Sequence, residues 1–148
     1  MPDTYTEIYY YLVWTTKNRE AMIVPQVEET LYVSIKAICR ELRVTIHALN
    51  GMPDHVHLAC TLPTTVAVAP LMNQVKGSSA HLINHLPRSR HPLAWQAGYG
   101  ALTFARRDLK TIVAYIRNQQ QHHQDGTLSP NMKRTHTERS SPSPGGAL

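Results

Sequence analysis

The stretch His55-Val56-His57-Leu58-Ala59-Cys60-Thr61-Leu62 constrains this chain more than any other. Val56, Leu58, Cys60 and Leu62 recur at a period of two, the pattern of a β-strand with one face on a core. His55 and His57 then share the opposite face, roughly 6.5–7 Å apart along the strand. A strand so patterned needs a sheet with one side covered by apolar elements and one side able to carry polar chemistry. Two imidazoles converging there make the beginning of a metal site, although the pair alone also reads as two exposed polar residues.

The remaining elements build that sheet. Tyr9-Tyr10-Tyr11-Leu12-Val13-Trp14 is aromatic and β-branched and reads as a first strand, running into the basic loop Thr15 to Arg19. From about residue 26 to 42, Val27, Leu31, Ile35, Ile38 and Leu42 recur at helical spacing, with Pro25 at the entrance. Residues 44–49 form a second strand. Asn50-Gly51, which tolerate positive φ, are expected to turn it into an antiparallel hairpin with the histidine strand. Val68, Leu71, Met72, Val75, Leu82, Ile83 and Leu86 mark a second helix with Gln74, Lys76, Ser78 and Ser79 on its polar side.

A basic linker over 87–92 precedes a glycine-bearing segment, 95–104, that leads into a fourth strand. A last helix is expected over 106–121, with Leu109, Ile112, Val113 and Ile116 as its apolar stripe. The order β-α-β-β-α-β-α predicts an α+β, ferredoxin-like (RRM-like) antiparallel sheet with two helices on one face and an added C-terminal helix. That arrangement leaves the face of His55 and His57 free to hold a site. After Asp125 large apolar residues nearly vanish, so 1–124 is expected to be one domain and 125–148 a disordered tail.

Charge narrows the partners. Fifteen Lys and Arg against ten Asp and Glu give +5, a balance that suits an anionic partner, nucleic acid being the commonest. Lys17, Arg19, Lys76, Arg88, Arg90, Arg106 and Arg107 are phosphate-contact candidates, and Trp95 is a candidate base stacker or a loop anchor. Cys39 and Cys60 lie in apolar contexts and read as buried free thiols, which suits a reducing cytoplasm. The opening residues lack a signal-peptide pattern and no run of 18 apolar residues occurs, so a cytoplasmic protein without a membrane partner is expected.

On the last helix Tyr115 and Gln119 are four residues apart, hence neighbours on one face, beside the apolar stripe. Gln119 would complete a His-His-Gln metal site, and Tyr115 would present a phenol oxygen to a nearby phosphorus. A covalent phosphotyrosine stores the phosphodiester energy, so the step can be reversed onto another strand's 3′-OH.

Three motifs, in unbroken order, carry a family resemblance: Gly51-Met52-Pro53-Asp54-His55-Val56-His57, Trp95-Gln96-Ala97-Gly98-Tyr99-Gly100-Ala101, and Tyr115-Ile116-Arg117-Asn118-Gln119 through His122-His123. Together with the opening Tyr11-Leu12-Val13-Trp14-Thr15-Thr16-Lys17-Asn18-Arg19, they resemble the single-tyrosine HUH transposases, insertion-sequence-200-like and REP-associated. The resemblance spans about residues 5–123. It implies that His55 and His57 are the HUH histidines, Tyr115 the nucleophile and Gln119 the third metal ligand. It further implies Mg²⁺ or Mn²⁺ as cofactor, hairpin and single-stranded DNA as partner, a 5′-phosphotyrosine intermediate, and a homodimer with composite active sites. The chain departs from the family pattern at Ala105-Arg106-Arg107, where relatives carry a serine at the start of the tyrosine helix, and in its Ser/Pro/Gly-rich tail. The rival readings are a catalytically inactive or domesticated hairpin-binding protein and a metal-dependent hydrolase that uses activated water.

Overall fold

The computed structural model describes residues 4–87 and 90–119. Four strands and three helices follow one another as β1 (Tyr9–Thr15), α1 (Pro25–Glu41), β2 (Thr45–Met52), β3 (His55–Thr61), α2 (Val68–Asn84), β4 (Gly100–Phe104) and α3 (Leu109–Arg117). The sheet order is β2-β3-β1-β4, with every neighbouring pair antiparallel. This is the expected α+β arrangement. The expected tail, and His122 and His123 with it, lies outside the described residues.

Strand alternation sorts the side chains as the sequence predicts. Leu12, Trp14, Val56, Leu58 and Cys60 face one way and pack with Val27, Leu31, Ile35 and Ile38 of α1 and with Leu71, Met72, Val75 and Ile83 of α2. Cys39 and Cys60 are buried free thiols in this core. Pro25 opens α1 at its first turn. The helix ends in a Schellman pattern: Val44 N–H donates to the Cys39 carbonyl (2.7 Å) and Arg43 N–H to that of Arg40 (3.2 Å). Arg43 occupies the left-handed position, with φ 59°.

Three expectations need correcting. The opposite sheet face is not free, because α3 lies across β2 and β3 of the same chain. A second core forms there from Tyr11, Val13, Ala48, Ala59, Tyr115 and Ile116. The hairpin turn is not at Asn50-Gly51, which sit inside β2 without positive φ; it is Pro53-Asp54, between the paired residues Met52 and His55. Gly51 is instead demanded by close approach, since a Cβ there would lie 2.6 Å from the His55 carbonyl oxygen. Finally, Ser79 faces the core and not solvent, accepting the indole N–H of Trp95 at 3.1 Å.

Candidate active site

The site begins with strand register. His57 on β3 is flanked by Val13 on β1 and Asn50 on β2, and His55 by Thr15 and Met52. Both histidines are fully buried, so the pair is interior and not a solvated feature of the strand. Their rings stand nearly perpendicular, with centroids 4.7 Å apart. The tight Pro53-Asp54 turn is pinned from two sides, Thr16 N–H donating to the Asp54 carbonyl and Ile23 N–H to that of Pro53, both at 2.9 Å.

Each ring is held at Nδ1. His55 donates to the Asp54 carboxylate at 2.6 Å, and Asp54 in turn receives the Arg19 guanidinium at 3.3 Å. The His55 hydrogen bond, opposed by burial and aided by the charges of His55 and Arg19, holds the Asp54 carboxyl down to about 2. His57 Nδ1 shares a hydrogen bond with the Tyr11 hydroxyl, the two rings meeting edge-on at 5.5 Å.

α3 brings the other two side chains. Its entry is the 3₁₀ turn Arg106–Asp108, and neither that turn nor α3 has a side-chain cap at its N-terminus. The departure at Ala105 therefore leaves the helix start uncapped, an omission worth about 1 kcal/mol. The far end is secured instead, with the Asn50 amide donating to the carbonyls of Ile116 (3.0 Å) and Arg117 (3.2 Å). So anchored, α3 sets the Tyr115 ring edge-to-face with His57 at 6.1 Å. Burial pushes the Tyr115 phenol above its ordinary pKa, and the nearby Gln119 amide pulls the other way. The structure thus brings His55, His57, Tyr115 and Gln119 together on one buried face.

This donor set suits a divalent cation. With Nδ1 of each histidine engaged, the buried Nε2 atoms would be the coordinating ends. The Gln119 amide lies beside the Tyr115 phenol. Among the described residues neither of its atoms has a hydrogen-bond partner in good geometry, a costly state for a buried polar group unless a ligand completes it. Among the described residues no three His, Cys, Asp or Glu side chains group as a metal site. Gln119, with a neutral amide oxygen, is the described side chain beside the pair that could serve as a third ligand.

The basic candidates divide. Lys17, Arg90, Arg106 and Arg107 are exposed, although Arg106 pairs with Glu7 at 3.2 Å. Lys76 is committed to the protein, donating to the carbonyls of Gln96 (2.8 Å) and Gly98 (2.9 Å) and clamping the loop where Gly98 takes φ +87°. Arg19 serves Asp54. Trp95 is the loop anchor and not a free stacking platform, half-buried edge-on to Trp14 at 6.0 Å. Arg88 lies outside the described residues.

Comparison with known proteins gives the family. The family described as "Transposase IS200 like" matches residues 4–119. The chain belongs to the IS200-like transposase family. It is 26% identical over 118 residues to the ISDra2 transposase TnpA of Deinococcus radiodurans, a match covering 76% of this chain and 84% of that protein. A crystal structure of a Deinococcus radiodurans R1 protein described as a transposase superposes with a TM-score of 0.60 at 27% identity, covering 80% of this chain and 96% of that one. A REP-associated tyrosine transposase bound to a REP hairpin has a TM-score of 0.63 at 18% identity, covering 83% of this chain and 74% of that one, a likeness of fold.

Reading the sequence for this IS200-like transposase missed Tyr11, Asp54 and Asn50 as parts of the site. For Tyr11 a signal existed: it alternates with Val13 on the same face as His57, and a hydroxyl on an otherwise apolar strand face needs a partner. For Asn50 none did, because its role depends on where α3 ends.

Proposed function

We propose that this chain cleaves and rejoins single-stranded DNA through a covalent bond between Tyr115 and a 5′-phosphate. The observation that carries the reading is the convergence of the Tyr115 phenol, two Nδ1-anchored histidines and the buried Gln119 amide on one buried face. His55, His57 and Gln119 would hold a divalent ion, Mg²⁺ or Mn²⁺, which when bound polarises the scissile phosphate and offsets its developing charge.

Tyr115 supplies the nucleophile. Its oxygen bonds to phosphorus as the bond from phosphorus to the 3′ oxygen breaks, giving a 5′-phosphotyrosine and a free 3′-OH. The phenol proton is lost and one proton ends on the 3′ oxygen, so the reaction is balanced and reversible. Burial favours the protonated phenol, so loss of that proton is part of activating the nucleophile. The packing of α3 over the sheet keeps bulk water from competing with the 3′-OH for the phosphotyrosine.

The DNA partner is taken to be a hairpin with a single-stranded flank, as the neighbour bound to a REP hairpin suggests. The exposed cations Lys17, Arg90 and Arg107 would contact phosphates, making affinity fall steeply with salt. A homodimer with composite sites belongs to the same proposal. In the single chain α3 covers its own sheet; in a dimer it would cover its partner's.

The deciding experiment incubates the protein with labelled hairpin DNA and Mn²⁺ and resolves the products under denaturing conditions. A covalent adduct is expected with the natural chain and none with Tyr115→Phe, which should still bind the hairpin. Binding without any adduct from the natural chain would make it a hairpin-binding protein. Released product without adduct would make it a hydrolase. Adduct recovered by refolding Tyr115→Phe together with His57→Ala would establish the composite arrangement.

A further inference from the structure

The two histidines are anchored by unlike groups. His55 faces a carboxylate, which only accepts a hydrogen bond, so its Nδ1 carries the proton. His57 faces the Tyr11 hydroxyl, which can accept or donate. If the phenol donated, the proton of neutral His57 would sit on the buried Nε2, and that nitrogen would have no lone pair for a metal.

We propose that Tyr11 is a positioning residue for the strand-transfer site: its oxygen accepts a hydrogen bond from His57 Nδ1–H, fixing the tautomer that presents Nε2 as a ligand. The proposal rests on the metal reading given above for what that nitrogen does. The direction of the Tyr11–His57 hydrogen bond follows from that reading as well, but nitrogen spectra read the direction without any metal. Tyr11 is built for this work. It is 1% exposed, sits one alternation from Val13, the β1 residue opposite His57, and packs its ring edge-on to the imidazole. A residue there purely to fill the second core would need the ring and not the hydroxyl, since Phe offers the same apolar surface. Outer partners of this kind commonly govern metal affinity by 10–100-fold through ring orientation and ligand basicity.

The test is Tyr11→Phe, which keeps the ring and deletes the acceptor. Three measurements are made on the full chain: thermal unfolding, ¹⁵N spectra of the imidazoles without metal, and Mn²⁺ titration followed by electron paramagnetic resonance. The natural protein should show His57 with a protonated Nδ1 and a bare Nε2. The variant should lose that signature and bind Mn²⁺ about 10–100-fold more weakly, with its unfolding temperature little changed. A His57 proton on Nε2 in the natural protein overturns the proposal, as does an unchanged spectrum with unchanged Mn²⁺ affinity in the variant. Should the variant not fold, the spectrum of the natural protein still decides. Failure of the natural protein to bind Mn²⁺ more tightly than His57→Ala would remove the metal reading and leave the tautomer result to judge Tyr11 by itself.

Discussion

Asn50 and Ile116 are 66 residues apart in sequence, yet the amide of one donates to the carbonyl of the other at 3.0 Å, with a second bond to the Arg117 carbonyl at 3.2 Å. This places the cap of the tyrosine helix on the strand beside His57. One residue thus ties the position of Tyr115 to that of the histidines.

Asn50→Ala should destabilise the fold by about 1–2 kcal/mol, the worth of two modest hydrogen bonds one of which ends on a buried residue. Adduct formation should fall by more than this loss explains, because α3 would fray at the end that carries Gln119. Chemical denaturation and the gel assay on the same preparation check both parts. Unchanged adduct yield would show that α3 is positioned by its apolar face alone.

Metal dependence should grade with ligand chemistry. His55→Ala and His57→Ala should abolish cleavage, and a chelator should do the same reversibly on adding Mg²⁺ or Mn²⁺. Gln119→Ala should be milder, since a neutral amide is the weakest donor of the three. Cleavage rates against Mn²⁺ concentration measure this, and full activity in chelator would refute the site.

Gly51→Ala tests the close approach at the hairpin. Its methyl would meet the His55 carbonyl at 2.6 Å and the Tyr32 hydroxyl at 3.2 Å, and the first is backbone that cannot rotate aside. A loss of about 1–3 kcal/mol is expected from overpacking, read by denaturant midpoint. Since the strained carbonyl belongs to His55, Mn²⁺ affinity should fall as well.

Arg43→Gly should have the opposite sign. Arg43 holds φ 59° at the position after α1 where glycine is ordinarily found. Removing its Cβ relieves a left-handed conformation that costs roughly 1 kcal/mol, so the midpoint should rise. No change would show that the Arg43 side chain makes compensating contacts.

The thiols report on core integrity. Burial pushes Cys39 up to about 11 and Cys60 to about 12, Cys39 also raising Cys60. A raised thiol pKa favours the neutral form in the fold, so this contribution is present below the ordinary value near 9 and is lost as pH climbs through 11 and 12. Iodoacetamide at pH 8 should label neither cysteine in the native protein and both in denaturant, as mass spectrometry would show. Rapid native labelling would contradict the burial.

Much of this was legible in the chain because alternation and helical spacing are local signals. Val56, Leu58 and Cys60 opposite His55 and His57 fixed the faces of β3, and the spacing of Tyr115 and Gln119 fixed their common side. The hairpin turn was misplaced because Asn50-Gly51 has the residue types of a turn. Here they serve other ends, Asn50 reaching α3 and Gly51 admitting a neighbouring backbone, while Pro53-Asp54 makes the reversal. The apolar covering of the second face was legible only where the His-His-Gln reading brought Tyr115 and Gln119 to it. An apolar stripe such as Ile112 and Ile116 announces that a helix needs a surface, but which surface is a tertiary choice.

The uncapped start of α3 has a consequence for how the molecule moves. A nine-residue helix with no N-terminal side-chain cap, held to the sheet by Tyr115 and Ile116 against Tyr11, Val13, Ala48 and Ala59 and by one asparagine, is expected to be a unit of sub-global opening. Its amides should exchange with deuterium while β1 and β3 stay protected, so the nucleophile would be exposed to DNA without unfolding the histidine pair. An element that opened apart from its own sheet in this way could, in a dimer, be traded between subunits as well. Sites built within one chain and across two would then make the same contacts, and differ in the path taken by residues 104–108.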